Sequence, residues 1–323
     1  MADHADDNFF DGDIFVYRGG RAPQHITHAR IHKSVNEIDD NAFDHCTQLL
    51  HVDTHDGIRK VGKKAFYYCK SLPRINLKSA VEIDDFAFSY CDSLESVEFG
   101  HRLETIGDYA FLWTSQQHLE LPSIITIGTG AFQRCSSLID IELSQQLETV
   151  RESAFHFCDG LQRIAIPLKR DLFEYNDTDE EYDQFHNCKQ LSTVDLFGGI
   201  HETVASLHME SWRVDMLAEI NRINQVLPNA LAKEKADKIR QWMEVVIDKM
   251  DHYKAEHYRY GKEGITLLEL ALWKAKLGEK EDRSGEGQTK KAKVDCGSTR
   301  KERRVTCGAD VVIKNVLPFL QLE

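Results

Sequence analysis

Phenylalanine and cysteine recur at one fixed spacing through much of this 323-residue chain. The Phe-x-x-Cys pairs are Phe43/Cys46, Phe66/Cys69, Phe88/Cys91, Phe132/Cys135, Phe155/Cys158 and Phe185/Cys188. Phe111 is a seventh member, with Thr114 where the thiol should be. Successive phenylalanines lie 23, 22, 23, 21, 23 and 30 residues apart. A period in that range marks a solenoid, in which each coil buries its apolar face only against its neighbours. Such a chain builds surfaces in place of a single enclosed core, so its function is a question about faces.

Aligned on phenylalanine, the units share one template. In the second it runs Ile58, Val61, Gly62, Ala65, Phe66, Cys69, Leu72, Ile75 and Leu77. The alternation at Ile75-x-Leu77 predicts a short strand, and the Ile-x-x-Val step upstream predicts a second, shorter one. Ala-Phe falls in the connection, expected as one helical or 3₁₀ turn, with the glycine before it suited to a positive φ. The cysteines lack the paired spacing of zinc or redox sites and read as one small buried hydrophobe per coil.

This pattern resembles the BspA-type (type 5) leucine-rich repeats, a family expanded in diatoms and other unicellular eukaryotes. The resemblance covers about residues 35–197 and rests on Leu-x-x-Ile-x-Leu coupled to Ile-Gly-x-x-Ala-Phe-x-x-Cys. It implies a leucine-rich repeat β-solenoid of stacked parallel strands, non-catalytic and used for recognition. Two units depart from the pattern. The fourth is one residue short between Phe111 and Leu119, with Gln116 or Gln117 where leucine is expected. The last carries an insertion with Asp171, Glu174, Asp177, Asp179, Glu180, Glu181 and Asp183, read as a solvated acidic loop without the glycine pivot of an EF-hand.

In Leu-x-x-Ile-x-Leu strands, the residue between the last two apolar positions points away from the core. Here it is Asp53, Asn76, Glu98, Glu120, Glu142, Ala165 and Asp195. Stacked strands would set the polar members, Asp53, Asn76, Glu98, Glu120, Glu142 and Asp195, in an acidic ladder up one face. That ladder is the candidate docking surface for another protein or peptide of basic character.

The net charge of −13 disfavours general nucleic-acid binding, which needs a basic surface. No run of roughly 20 apolar residues is present to cross a bilayer. The acidic N-terminus lacks the order of a secretory signal, which predicts an intracellular protein, cytoplasmic or nuclear, with reduced thiols.

The expected organisation is an N-terminal cap at 1–34 and a seven-unit array at 35–197. A helical domain follows at 198–277, then a disordered basic linker at 278–304. A final segment, 305–323, is expected to return and pack on the helical domain. Apolar residues recur every three or four positions from Met209 to Leu227 and from Ile239 to Tyr253, and a third segment runs from Ile265 to Leu277. No nucleophile elbow, phosphate-binding loop or zinc-protease helix occurs, so no catalytic residue, metal ligand or cofactor is assigned. The leading expectation is a protein-interaction scaffold. The alternatives are a nuclear or nucleic-acid-associated protein acting through the basic 290–304 tail, and an enzyme with a site in the helical tail.

Overall fold

The computed structural model describes residues 9–173, 183–196 and 210–284. The expected acidic loop therefore lies mostly outside the described residues, as do the 285–304 part of the basic linker and the final segment. The chain divides into two compact units, Met1–Glu256 and His257–Glu323, the first of which holds the whole repeat array. Of the second, the described residues are helical.

The array is a parallel β-solenoid, and a helical region follows it. Its longer strands are β2 (Ile14–Tyr17), β3 (His28–Ile31), β5 (His51–Asp53), β7 (Arg74–Leu77), β9 (Ser96–Phe99), β11 (His118–Leu121), β13 (Asp140–Leu143), β15 (Arg163–Ile166) and β16 (Thr193–Leu196). Between them lie two-residue strands β4 (Glu37–Ile38), β6 (Lys60–Val61), β8 (Glu82–Ile83), β10 (Thr105–Ile106), β12 (Thr126–Ile127) and β14 (Thr149–Val150). The short strands form one continuous six-stranded parallel sheet. At the N-terminal end, β1 (Phe9–Asp11) and β2 make an antiparallel hairpin, and β2 pairs in parallel with β3.

The Ala-Phe segment is not the helical or 3₁₀ turn expected. It is a run of linked turns in which alternate N–H groups point within the coil and to the next one. Ala42, Asp44 and Cys46 donate three residues back, whereas Asn41, Phe43 and His45 donate to Lys63, Ala65 and Tyr67 of the following coil. This alternation requires left-handed backbone two residues either side of each phenylalanine from Phe43 to Phe155. Lys64 and Tyr68 flank Phe66 at φ 55° and 61°, and Tyr109 and Trp113 flank Phe111 at 55° and 61°.

The glycine before each turn also has a different reason from the one expected. Gly62, Gly107 and Gly128 do not adopt positive φ. Instead, a Cβ on Gly107 would lie 2.7 Å from the backbone nitrogen of Asp85, one coil earlier. Glycine stands there so that coils can approach.

Inside, Phe43, Phe66, Phe88, Phe111, Phe132, Phe155 and Phe185 stack face to face. Their centroids are 4.9 Å apart at the first step and 5.6 Å at the last. Tyr17 closes the N-terminal end of the column, 5.0 Å from Phe43. Its hydroxyl donates to the Gly20 carbonyl and accepts from the Asp39 N–H, each at 3.2 Å, so burying this phenol leaves no polar atom unpaired. Each buried ring stabilises by roughly 1.5–3 kcal/mol.

Beside the rings run the thiols. Cys69 donates to the Phe43 carbonyl at 3.1 Å, and Cys91, Cys135, Cys158 and Cys188 repeat the bond to the phenylalanine of the preceding unit. All six are free and buried. A small side chain suits this position, and Thr114 fills it with a different bond, donating to the Phe111 carbonyl of its own unit at 3.1 Å.

The C-terminal end of the stack is covered by α1 (Glu210–Val226) and by the 235–256 part of α2 (Lys235–Ser284) that belongs to the same unit. Here α2 departs from expectation: the second and third helical segments are one helix, which also takes in residues 278–284 of the expected linker. An open coil end leaves backbone groups without a next coil to pair with, and the helices supply the partners. The buried Lys235 ammonium donates to the carbonyls of Lys189 at 2.8 Å and Leu191 at 2.5 Å. The Asn224 side-chain oxygen accepts from the Val194 N–H of β16 at 2.8 Å.

Candidate functional site

The polar residues expected to form a ladder do project from the longer strands. Register pairs Asn76 with Glu98, Glu120 with Glu142, Glu142 with Ala165, and Ala165 with Asp195. Arg30 of β3 pairs with Asp53 and starts the row one coil earlier, with a cation.

The row is not continuous. Among the described residues the long-strand face is three sheets: β1-β2-β3-β5, β7-β9 and β11-β13-β15-β16. Each break has a local cause. At the first, Thr54 occupies the inward position that Leu77 fills one coil on, and its hydroxyl donates to the Asn76 carbonyl at 2.7 Å. A cleft of about 250 Å³ opens there, lined by His51, Asp53, Thr54, Arg74, Asn76 and Glu98. At the second, the one-residue shortening between Phe111 and Leu119 sets β11 out of step with β9. Gln116, not Gln117, takes the core position there, 2 % exposed.

Charge is also distributed unevenly along the row. Asp53 meets His51 at 2.8 Å and Arg30 at 3.5 Å. Glu98 meets Lys78 at 2.7 Å, and that ammonium holds the carboxyl below its ordinary pKa. Arg163 bridges Asp140 at 2.8 Å and Asp195 at 3.4 Å. Glu120 and Glu142 lie side by side on β11 and β13, and neither has an ion-pair partner among the described residues. The acidic character open to a partner is therefore concentrated on those two carboxylates.

A second feature of the surface went unread in the sequence. The left-handed residue after each core phenylalanine is His45, Tyr68, Tyr90, Trp113, Arg134, Phe157 and Asn187 in successive units. From His45 to Phe157 these side chains stack on one another along the turn edge. The signal was present as an aromatic or planar residue two places after phenylalanine. It was hidden because left-handed backbone favours glycine or asparagine, so a ring is not the residue one looks for there.

No group of three or more His, Cys, Asp or Glu side chains that could hold a metal occurs among the described residues, and none of their helices is long and apolar enough to cross a membrane.

Sequence comparison matches the BspA type leucine rich repeat region in six copies, across residues 22–123, 75–178 and 104–215. The chain belongs to the BspA-type leucine-rich repeat family. Among solved structures it is similar to a leucine-rich repeat protein from Bacteroides ovatus, with 26% identity and a TM-score of 0.41, over 50% of this chain and 43% of that one. It is also similar to the T. pallidum leucine-rich repeat protein, with 24% identity and a TM-score of 0.46, over 61% of this chain and 88% of that one. The chain thus spans less than half of the Bacteroides protein. No curated protein matches it. Leucine-rich repeat arrays of this kind generally serve protein–protein interaction through their extended surfaces.

Proposed function

We propose that this BspA-type repeat protein is a non-catalytic scaffold that holds another protein or peptide of basic character against its long-strand face. The observation that carries the reading is the Glu120–Glu142 pair, in register and without a cation of its own on a face where neighbouring acids have one. Two carboxylates on adjacent strands about 4.8 Å apart repel, and a partner's lysine or arginine would relieve that repulsion on binding. The remaining ladder residues, Asp53, Asn76, Glu98 and Asp195, fix the orientation of the partner in this reading. The protein would act in the cytoplasm or nucleus, which six unpaired thiols on neighbouring coils favour.

Affinity capture from the native cell tests the proposal, comparing the wild-type chain with Glu120→Lys/Glu142→Lys. Charge reversal should remove salt-sensitive partners while leaving thermal unfolding almost unchanged. An identical set of captured proteins would refute the proposal.

A further inference from the structure

Among the described strands, one pairing sets two histidines opposite each other. His28 of β3 and His51 of β5 are in register on the long-strand face, as are Arg30 and Asp53 two places on. Side chains so placed on neighbouring parallel strands start about 4.8 Å apart. The two imidazole rings lie 6.2 Å apart between centroids and tilt 50° to one another. Both can be reached from solvent, since His28 is exposed and the His51 side chain is 45 % exposed.

Each ring is held through one nitrogen by a neighbouring oxygen. His51 Nε2 donates to Asp53 Oδ1 at 2.8 Å, which leaves the lone pair on Nδ1. His28 Nδ1 lies 3.0 Å from the Thr27 hydroxyl, and with that hydroxyl accepting, the lone pair of His28 is on Nε2. Metal-binding histidines are held in this way. One N–H goes to a carboxylate or another oxygen, which fixes the tautomer and makes the other nitrogen a better ligand. Imidazole nitrogen suits Zn²⁺, Cu²⁺ and Ni²⁺, whereas Mg²⁺ and Ca²⁺ take oxygen. Local charge permits a cation here. Asp11 and Asp53 bracket Arg30 at 3.2 Å and 3.5 Å, so the guanidinium beside the pair is neutralised. Arg74, which follows His51 in the row, stands across the break between β5 and β7.

We propose that His28 Nε2 and His51 Nδ1 bind a divalent transition metal ion of the Zn²⁺ type, with water completing its coordination. The ion links two neighbouring coils at the N-terminal end of the array. Asp53 is a positioning residue, which holds the His51 ring without touching the ion. The site does not depend on the Glu120–Glu142 pair, and each can fail without the other.

The test uses the tag-free full chain carrying Cys296→Ser/Cys307→Ser, which removes the two thiols outside the repeats. Zinc sulfate added below one equivalent should shift the imidazole Cε1–H NMR signals of His28 and His51 ahead of those of the other histidines. By calorimetry, Asp53→Ala should weaken Zn²⁺ binding about tenfold, as loss of a ligand's supporting carboxylate does. His28→Asn and His51→Asn should each cost more than that. Asp53→Asn keeps an oxygen that can accept from His51 Nε2–H, so it should lose less than Asp53→Ala. Circular dichroism with thermal melting confirms that each variant is folded. Earlier shifts at other histidines, or undiminished binding by the folded His28→Asn/His51→Asn variant, overturn the proposal. An Asp53→Asn loss as large as that of Asp53→Ala overturns the positioning role.

Discussion

The Asp85 side chain accepts a hydrogen bond from the Asp108 N–H one coil later, at 3.0 Å, across the space that Gly107 leaves open. The same arrangement links Asp40, Gly62 and the Lys63 N–H at 2.8 Å, and Asp108, Gly128 and the Thr129 N–H at 2.8 Å. Where the earlier coil has Lys63 or Thr129 in the aspartate position, the glycine position holds Asp84 or Arg151. Aspartate and glycine form one device split between coils.

Replacing Gly107 with alanine should therefore unfold the array at lower denaturant, by about 1–3 kcal/mol or more. The new methyl would meet the backbone of Asp84 and Asp85 as well as the carboxylate. Adding Asp85→Ala should consequently fail to restore stability. Rescue by that second change would show the side chain, not backbone approach, to be the obstacle.

Much of this was legible because solenoid coils repeat their own constraints. Phe66, Cys69 and Leu72 recur at the same spacing in six of the seven units, so the copies reinforce one reading. What was not legible depended on relations between coils. The purpose of Gly62 is visible only once Asp40 is placed beside it. Lys235 reads as an ordinary surface lysine until the open carbonyls of Lys189 and Leu191 give it partners. The carboxylates of the ladder could be located by register, but their neutralisation by Lys78 and Arg163 depends on side-chain reach that periodicity does not encode.

Gln116 is a defect with a measurable cost. Its side-chain oxygen and nitrogen are buried without a hydrogen-bond partner among the described residues, at a position where other units bury leucine. An unsatisfied buried amide costs about 1–3 kcal/mol. Gln116→Leu should raise the denaturation midpoint by an amount in that range, with an unchanged m-value. A loss of stability would mean that the shortened loop holds a water the amide needs.

Cys46, Cys69, Cys91 and Cys158 should be inert while the array is folded. Burial pushes Cys69, Cys91 and Cys158 above the ordinary thiol range, and Cys46 up to about 12. Thiolate is the reactive form, so labelling of these positions by iodoacetamide should wait on unfolding. Mass spectrometry of peptides labelled in native buffer checks this. Rapid modification of Cys91 would show that the column opens locally.

Acid should weaken the C-terminal end of the array through His156. The ring is 7 % exposed, packed 4.3 Å from Phe157 and 4.9 Å from His186, and Arg134 lies near. Burial first, then His186 and Arg134, hold its pKa down to about 4. Below about pH 6.5 the unfolded chain takes up a proton that the folded one refuses until about pH 4. Stability is thus fully present above that window and declines as pH falls through it. His156→Gln should flatten this part of the stability–pH curve, read by chemical denaturation at several pH values. An unaltered slope would assign the acid sensitivity to other groups.

Recognition and stability should oppose each other at Glu142. Its carboxylate faces that of Glu120 on the adjacent strand, and like charges placed so destabilise by roughly 0.2–1 kcal/mol. Glu142→Lys converts repulsion into attraction, so the variant should melt slightly higher than the wild type at low salt. The gain should shrink as salt screens the pair. The same substitution should weaken capture of basic partners, because it supplies internally the cation a partner would bring. A variant that is stabilised yet binds equally well would separate the two effects and remove Glu142 from the recognition surface.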